Sequence, residues 1–233
     1  DTLTVYNATK EKKYSGNLAV IVDDCGYDLA PVQKLSGLPI KMSFAILPFK
    51  ANSSAALGVI QGNGKEAMLH LPMEPLDASA ASETKMVTVA MTKDDVQAYT
   101  KEAIDSLPGI AGVNNHQGSK ATSNRTTMKA VLEVLKSEGL FFIDSNTYSK
   151  SIGDQAAEEL GVPTARNQKF LDNSSDVDDI KKNIWAAAEM ADKNGLAVVI
   201  CHARPNTAKA WSEVYSSLKD SGIKFVNASS IVH

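Results

Sequence analysis

The sequence has few of the residues that build cysteine-rich, nucleic-acid-binding or membrane proteins, and each shortage excludes a class. Its 233 residues include 2 cysteines, too few for a cysteine-ligated structural zinc site or a disulfide-stapled scaffold of this size. The formal net charge is −3, so the chain lacks the basic excess of proteins that bind nucleic acid or anionic lipid. No apolar run approaches the ~18 residues of a membrane span. We therefore expect neither a nucleic-acid partner nor a transmembrane segment.

The composition that remains is typical of one globular domain. Hydrophobic residues make up 43% and charged residues 22%, which is enough to bury a core. Residues 1–16 show no periodicity, so we expect a flexible arm there and a single domain over residues 17–233. The polar start without Met predicts a shortened chain or a mature form whose targeting segment has been removed. The second alternative implies an extracytoplasmic location, periplasmic or secreted.

Short apolar runs alternate with segments of helical spacing along the domain. Seven runs read as buried strands, at residues 18–24, 41–48, 66–72, 111–118, 140–145, 196–203 and 223–229. Between them, residues 128–135 carry apolar side chains at i, i+3, i+4 and i+7 and precede Gly139, a predicted helix C-cap. Thr207 and Thr92 are predicted N-caps of two further helices. The alternation predicts an α/β fold with parallel strands, either a barrel or an open doubly wound sheet.

Acidic and imidazole side chains end several of these predicted strands. In parallel α/β folds the chemistry collects at the carboxyl ends of the strands. Six such residues lie there in this sequence: Asp23, Asp24, His70, His116, Asp144 and His202. A turn or helix cap would explain the Asp pair, an Asx turn would explain Asp144, and a lone histidine is commonly a hydrogen-bonded surface group. Capping does not require histidine at the same end of three strands, so we interpret the cluster as a functional site.

The residue types of this cluster favour metal-assisted hydrolysis. One carboxylate with two imidazoles is a ligand set for a catalytic metal that keeps a position open for water. The sequence has no G-x-S-x-G nucleophile motif and no glycine-rich phosphate loop after a strand. An acidic pair that ends the first strand is also found in receiver domains, but those are about half this length and leave the histidines unexplained.

Seven motifs resemble, in their order, those of the divergent polysaccharide deacetylases, a bacterial branch of the polysaccharide deacetylase superfamily: VIVDDCGYD, SFAILP, LHLPMEP, GVNNHQGS, FFIDSNT, KFLDN and VVICHARP. The resemblance covers about residues 17–232. It implies a distorted (β/α) barrel, often seven-stranded, which agrees with the alternation of elements. It also implies a divalent metal, commonly zinc, and the removal of acetyl groups from an N-acetylated glycan as the carbohydrate partner.

The resemblance assigns a role to five of the strand-end residues. It implies that Asp23 is the catalytic base and Asp24 a metal ligand. His70 matches the first histidine of the family's metal motif, and His116 looks like a replacement ligand of the divergent branch. His202, in the last motif, resembles the general acid.

Other positions depart from the family pattern or have a less specific role. Glu74 stands where typical members carry the second metal histidine, so it is expected to be either a further ligand or a bystander. Asn115 is an additional site candidate beside His116. The resemblance further implies that an acidic side chain orients a charged partner and that an arginine holds the catalytic base ionised; the candidates are Asp144 or Asp172 for the first role and Arg166 for the second.

Two alternatives to a deacetylase remain open at the sequence level. One is a non-catalytic carbohydrate- or cell-wall-binding protein on a degenerate deacetylase barrel, and the other is a metal hydrolase of another amide or ester. Cys25 and Cys201 each adjoin a site residue. We expect both to be buried free thiols, with a disulfide at the rim of the site as the alternative.

Overall fold

The computed structural model describes residues 13–233 and shows strands and helices in alternation. Within that part of the chain the strands are β1 (Asn17–Cys25), β2 (Ser43–Ile46), β3 (Glu66–Met73), β4 (Gly112–Gln117), β5 (Phe141–Asp144), β6 (Thr164–Arg166), β7 (Lys169–Phe170), β8 (Leu196–His202) and β9 (Lys224–Val226). The helices are α1 (Leu29–Ser36), α2 (Ser53–Gly62), α3 (Lys93–Asp105), α4 (Arg125–Glu138), α5 (Gly153–Leu160), α6 (Val177–Asn194) and α7 (Pro205–Asp220). All seven predicted strands are present.

The strands form one parallel sheet that curls into a barrel. Their order is β6-β5-β4-β3-β2-β1-β8-β7, and β9 pairs with β1 outside this path. The predicted (β/α) barrel is therefore confirmed over the open doubly wound sheet. The strand number differs from the expected seven, because β6 and β7 have 3 and 2 residues and are too short to show a periodicity.

The two edge strands of the sheet are β6 and β7, and they are consecutive in the chain. Asn167 and Gln168 connect the two strands. The N–H of Asn167 donates to the carbonyl of Asp144 in β5 (2.9 Å), and the N–H of Gln168 donates to the carbonyl of Val198 in β8 (2.9 Å). The backbone of this short connection thus joins the two edges in place of a continuous ladder.

Two apolar layers pack on the two faces of the sheet. The larger layer lies between the strands and the surrounding helices, whereas the smaller one fills the barrel and consists of Ala19, Ile21, Ala45, Met68, Phe141, Ile143, Val198, Ile200 and Ala228. Side chains alternate between faces along a strand. The inward row of β1 therefore runs on to Asp23, and that of β8 runs on to His202.

The helix ends follow local sequence signals, with one exception. Gly139 ends α4 in the left-handed region at φ 69°, and the Thr92 hydroxyl caps α3. The predicted N-cap at Thr207 is wrong, since α7 begins at Pro205. Proline suits the first helical position because its ring fixes φ and it has no N–H to satisfy. Thr207 lies within the first turn and donates its hydroxyl to Asp172 instead.

The predicted arm of residues 1–16 lies largely outside the described residues, which begin at Lys13. Next to it, Tyr14 is held by the domain, because its N–H donates to the carbonyl of Ser221 (2.7 Å) and its ring lies 6.0 Å from that of Trp185. Residues 14–16 thus contact the domain, and a flexible arm over the preceding residues stays a prediction.

The two cysteines are buried free thiols, as expected. The thiol of Cys25 donates to the carbonyl of Val22 (3.4 Å), and burial raises the pKa of both Cys25 and Cys201. No helix within residues 13–233 is long and apolar enough to cross a membrane.

Candidate active site

A cavity of about 530 Å³ opens at the carboxyl ends of β1, β3, β4 and β8. Small-molecule sites typically have volumes of ~300–1,000 Å³. Six of the residues predicted for the site line it: Asp23, Asp24, His70, Asn115, His116 and His202. The strand-end rule therefore located the cavity correctly.

The end of β1 departs from regular strand geometry so that two successive carboxylates face this cavity. In a regular strand, neighbouring side chains point to opposite faces. The β1–β2 ladder shifts register between Val22 and Cys25, and Asp24 has φ 61°, in the left-handed region. A bulge of this kind redirects a side chain. As a result, both Asp23 and Asp24 line the cavity.

Asp24, His70 and His116 form a compact group of metal-ligand type, with their ligand atoms within 4.8 Å of one another. Asp24 Oδ1 lies 3.2 Å from Nδ1 of His116 and 3.5 Å from Nε2 of His70. The two imidazole nitrogens are 3.0 Å apart. Asp24 Oδ1 is buried and lacks a hydrogen-bond partner within the described chain. A buried carboxylate oxygen without a donor fits a cation.

Hydrogen bonds at the far side of His70 set its tautomer. Asn114 donates its amide N–H to Asp23 Oδ1 (2.8 Å), so its carbonyl oxygen is the atom that faces Nδ1 of His70, also at 2.8 Å. An amide oxygen only accepts, hence Nδ1 carries the proton and Nε2 keeps its lone pair. That lone pair points into the group with Asp24. Metal-binding histidines are commonly held in this way by a second hydrogen bond.

Asp24 and His70 each favour the charged form of the other. Burial opposes ionisation of Asp24, but the contacts with His116 and His70 outweigh it and hold the pKa of its carboxyl below the ordinary value. Burial also lowers the pKa of His70, and the neighbouring Asp23 and Asp24 overcome this effect and raise it. Asp24 is thus an anion at neutral pH, as a metal ligand must be.

Asp23 lies beside the group in a less polar setting. It is buried, and burial raises the pKa of its carboxyl despite the opposing effect of His70 and His202. Asp23 Oδ1 accepts from Asn114, whereas Oδ2 lies 3.6 Å from Nε2 of His70. A carboxylate with a raised pKa and a free oxygen at a cavity wall is suited to accept a proton.

His202 faces the same cavity from β8 and is held by Asp172. Asp172 Oδ1 lies 2.8 Å from Nδ1 of His202, and the second carboxylate oxygen accepts from the backbone N–H of His202 (2.9 Å) and the hydroxyl of Thr207 (2.6 Å). The ring of Phe170 stacks on the imidazole at 6.1 Å. Burial lowers the pKa of His202, and the hydrogen bond and charge of Asp172 outweigh it and raise it. Of the two predicted orienting acids, Asp172 contacts His202, whereas Asp144 lies 4.0 Å from the guanidinium of Arg166.

Glu74 does not join the metal-ligand group. Its carboxylate accepts from Nζ of Lys120 (2.6 Å) and from the backbone N–H of Val89 (2.8 Å). Lys120 and burial act oppositely on the carboxyl, and its pKa is lowered. Glu74 holds the segments that follow β3 and β4 together. The structure thus places His116, and not Glu74, beside Asp24 and His70.

Arg166 and Asp144 are not brought to the catalytic cavity. The guanidinium of Arg166 pairs with Asp154 (3.3 Å) and donates to Asn146 (3.1 Å), so the expectation that it contacts Asp23 is not met. Asp144 accepts from the hydroxyl of Ser151 (2.6 Å) and from the N–H of Asn146 (2.8 Å). The second bond is the Asx turn considered as an alternative. Both side chains order the loop after β5.

Asn115 lines the cavity but is occupied by backbone contacts. Its side-chain oxygen accepts from the N–H of Ser145 (2.9 Å), and its amide donates to the carbonyl of Gln117 (2.8 Å). It therefore ties the end of β4 to the end of β5.

The segment after β3 forms a wall of the cavity. The hydroxyl of Ser82 lies 2.8 Å from Nε2 of His116, leaving Nδ1 of that ring toward Asp24. The next residue, Glu83, contacts Tyr27 and Lys50. The position of His116 thus depends on this wall as well as on β4.

Sequence reasoning assigned no role to Asn114, Ser82 or Phe170. Asn114 was within reach, because it shares a strand face with His116 two residues on. The register of β3 and β4 pairs it with His70. Ser82 and Phe170 lie in an irregular segment and a strand of 2 residues, where no periodic pattern exists to indicate which side chains face the cavity.

Comparison with known proteins identifies the family of the chain. Residues 20–232 match the family model described as divergent polysaccharide deacetylase. The chain belongs to this family. One relative is the uncharacterised protein YibQ of Escherichia coli K12. It is 31% identical over 219 residues, which are 94% of this chain and 68% of YibQ.

Solved structures share the fold described above. An uncharacterised protein from Agrobacterium tumefaciens C58 matches with a TM-score of 0.88 and 18% identity, over 94% of this chain and 90% of that chain. A mutant, with restored enzymatic activity, of a CE4 family pseudoenzyme from Bacillus anthracis matches with a TM-score of 0.55 and 12% identity, over 93% of this chain and 67% of that chain. At these identities the likeness shows the fold alone.

Proposed function

We propose that the protein is a metal-dependent hydrolase that removes acetyl groups from an N-acetylated glycan. The observation that carries the proposal is the convergence, on one cavity, of a metal-ligand group with a free carboxylate and a carboxylate-held imidazole. Family membership supports the reaction class. Fold alone would not, since unrelated activities share folds.

Asp24, His70 and His116 would hold the divalent metal. Two imidazoles with one carboxylate are borderline ligands that suit zinc, and three protein ligands leave a position for substrate or water. A divalent ion supplies two effects when bound: it lowers the pKa of water from ~15.7 towards ~7 and polarises the acetamide carbonyl.

The protein's own groups handle the protons. Asp23 accepts a proton from the water as its oxygen bonds to the acetyl carbon. As the carbon–nitrogen bond breaks, His202 donates the proton of Nε2 to the nitrogen, which stays on the sugar as an amine while acetate leaves. An amide nitrogen departs poorly as an anion, so this donation is essential. Nδ1 of His202 faces Asp172, and Nε2 is therefore the nitrogen available to the substrate.

The test is acetate release from N-acetylated chito-oligosaccharides by the zinc-loaded protein. We expect Asp23→Asn and His202→Gln each to lower kcat by about 10²–10⁴-fold, with the zinc content retained. Arg125→Gln, on the exposed surface, is the matched control. Zinc binding without acetate release from any N-acetylated glycan would refute the deacetylase.

The alternative is a non-catalytic glycan-binding protein on the same barrel. The solved relatives include a protein described as a pseudoenzyme, and Glu74 replaces a ligand position of the typical enzymes. Saturable glycan binding that Asp23→Asn leaves unchanged, without turnover, would favour this alternative. A hydrolase of another amide or ester would instead release acid from non-glycan substrates. An extracytoplasmic location remains our prediction from the sequence.

A further inference from the structure

Among residues 13–233, Arg204 differs from the other two arginines in having no carboxylate partner. Arg125 pairs with Glu159, and Arg166 pairs with Asp154. The guanidinium of Arg204 makes one hydrogen bond within the described residues, to the backbone carbonyl of Asp172 (3.2 Å). A guanidinium offers five donors in a planar fork, so most of the donors of Arg204 remain unused among residues 13–233.

The nearest carboxylate is already occupied. Both oxygens of Asp172 accept hydrogen bonds, from His202 and from Thr207, and only its backbone oxygen is left to Arg204. At the other side of the cavity, Asp23 and Asp24 face His70 and Asn114 or His116. Within residues 13–233, no carboxylate of the site is therefore paired with the guanidinium of Arg204.

Arg204 lies where two cavities adjoin. It lines the catalytic cavity and also a second cavity of about 300 Å³. The second cavity is bordered by hydroxyl and amide side chains, those of Ser174, Ser175, Asn206 and Thr207. Among the described residues that line either space, Arg204 alone carries a permanent positive charge. A ligand that extends from one cavity to the other must pass this guanidinium.

The proposed reaction decides which part of a substrate meets Arg204. His202 protonates the nitrogen that remains on the sugar, so the sugar lies on the His202 side and the acetyl group on the side of Asp24. Arg204 is two residues beyond His202, and its N–H donates to the His202 carbonyl (2.8 Å). The guanidinium donates to the backbone carbonyl of Asp172, whose carboxylate holds His202, so it lies on the side of the sugar portion and not of the acetyl group.

We infer that the substrate is an acidic glycan and that Arg204 binds a carboxylate on the sugar portion. This inference rests on the proposed function. The planar fork of arginine matches a carboxylate through two parallel hydrogen bonds. One guanidinium matches the single charge of a carboxylate, whereas a phosphomonoester carries ~1.5 to 2 negative charges at neutral pH, more than this one guanidinium can neutralise.

The experiment compares one glycan in two charge states. The probe is a soluble peptidoglycan glycan strand, in which alternate N-acetylated sugars carry a lactyl carboxylate, and its partner is the same strand with those carboxylates methyl-esterified. The variants are Arg204→Gln, which removes the charge, Arg204→Lys, which retains it, and Arg125→Gln as the control. Acetate release gives kcat/KM, and calorimetry gives Kd for both the zinc-free and the zinc-loaded protein.

Because a charge-assisted bond is stronger than a neutral one, we expect wild type to favour the free acid over the ester by about tenfold in kcat/KM and in Kd, which corresponds to about 1.4 kcal/mol. Arg204→Gln should bring this ratio close to one, mainly through KM, and Arg204→Lys should retain part of it. Arg125→Gln should match wild type. Added salt should reduce the preference.

Two results would overturn the inference. One is equal treatment of acid and ester by wild type, and the other is an equal loss on both glycans in Arg204→Gln, which would mark a structural role. If Arg204→Gln fails to fold, the folded Arg204→Lys variant decides. A smaller preference for the acid in Arg204→Lys than in wild type supports the inference, because lysine lacks the planar fork of arginine. Wild-type values of Kd and KM in Arg204→Lys contradict bidentate binding. Arg204-dependent binding of the acid without acetate release would reject the proposed function and retain the acidic-glycan site.

Discussion

Asp172 binds His202 through both carboxylate oxygens: one accepts the ring N–H at 2.8 Å, and the other accepts the backbone N–H at 2.9 Å. The backbone bond fixes where the strand ends relative to the carboxylate, and the ring bond fixes which imidazole nitrogen faces the cavity. The Thr207 hydroxyl fills the remaining acceptor site. This pair therefore sets both the orientation and the charge of the proposed general acid.

Asp172→Asn should shift the pH dependence of the reaction. Asp172 raises the pKa of His202 against the effect of burial, and the general acid works only while protonated. Removing the carboxylate charge lowers that pKa, so the alkaline limb of the kcat/KM profile should move to lower pH. The measurement is the pH–rate profile together with the NMR titration of His202. Asp154→Asn, whose carboxylate pairs with Arg166, is the control; an alkaline limb that does not move would rule out His202 as the acid.

Metal content should depend on His116 and not on Glu74. His116 lies within the ligand group, whereas Glu74 is bound to Lys120. We expect wild type and Glu74→Gln to retain about one zinc per chain after dialysis and His116→Ala to lose it. Elemental analysis of the purified proteins gives the count. The reverse pattern, with zinc lost from Glu74→Gln alone, would show that the ligand set is wrong.

Two adjacent asparagines offer a matched test of how the metal ligands are held. Asn114 contacts Asp23 and His70, while Asn115 contacts the backbone of the neighbouring strand ends. Loss of a hydrogen bond behind a metal ligand typically lowers metal affinity by about 10–100-fold. Asn114→Ala should show this loss in a zinc competition titration, whereas Asn115→Ala should lower the melting temperature with a smaller change in affinity. Equal affinities in the two variants would argue against the bridging role of Asn114.

The backbone conformation that brings Asp24 to the cavity should lower the free energy of unfolding. Its φ of 61° lies in the left-handed region, which costs a residue with a Cβ about 1–2 kcal/mol and costs glycine almost nothing. Asp24→Ala and Asp24→Gly both remove the carboxylate, but only the second relieves the backbone. We expect the glycine variant to be more stable by about 1 kcal/mol, measured by denaturant unfolding without metal. An alanine variant as stable as the glycine variant would exclude strain.

The sequence predicted the location of the site better than its internal connections. The strand-end rule predicted that Asp23, His70, His116 and His202 share one cavity, because it requires only the strand ends and a parallel sheet. Asp24 faces the same cavity through a bulge that period-two patterning does not predict. The pairing of His70 with Asn114 required the register of two strands, and no local pattern encodes register. Family resemblance supplied the barrel in place of an open sheet, which the alternation of elements did not decide.

Arg166 shows why the position of a residue around the barrel is harder to predict than the end of the barrel at which it lies. It ends β6, which lies five places from β1 through β2 and three places from it through β7 and β8. Both strands point their ends toward the same face, so the strand-end rule allowed a contact between Arg166 and Asp23. Distance around the barrel prevented it, and that distance follows from a strand order completed by β6 and β7, which are too short to recognise in the sequence.

The register of the ladders places site residues opposite one another: Asp23 faces His202 across β1 and β8, and His70 faces Asn114 across β3 and β4. Their separations are thus set by the spacing of hydrogen-bonded strands, ~4.8 Å, and not by loops. Loosening these pairs would mean breaking central ladders of the sheet. The backbone amides at these positions should therefore exchange with deuterium only through global unfolding, so the proposed substrate would meet a site whose geometry is already complete.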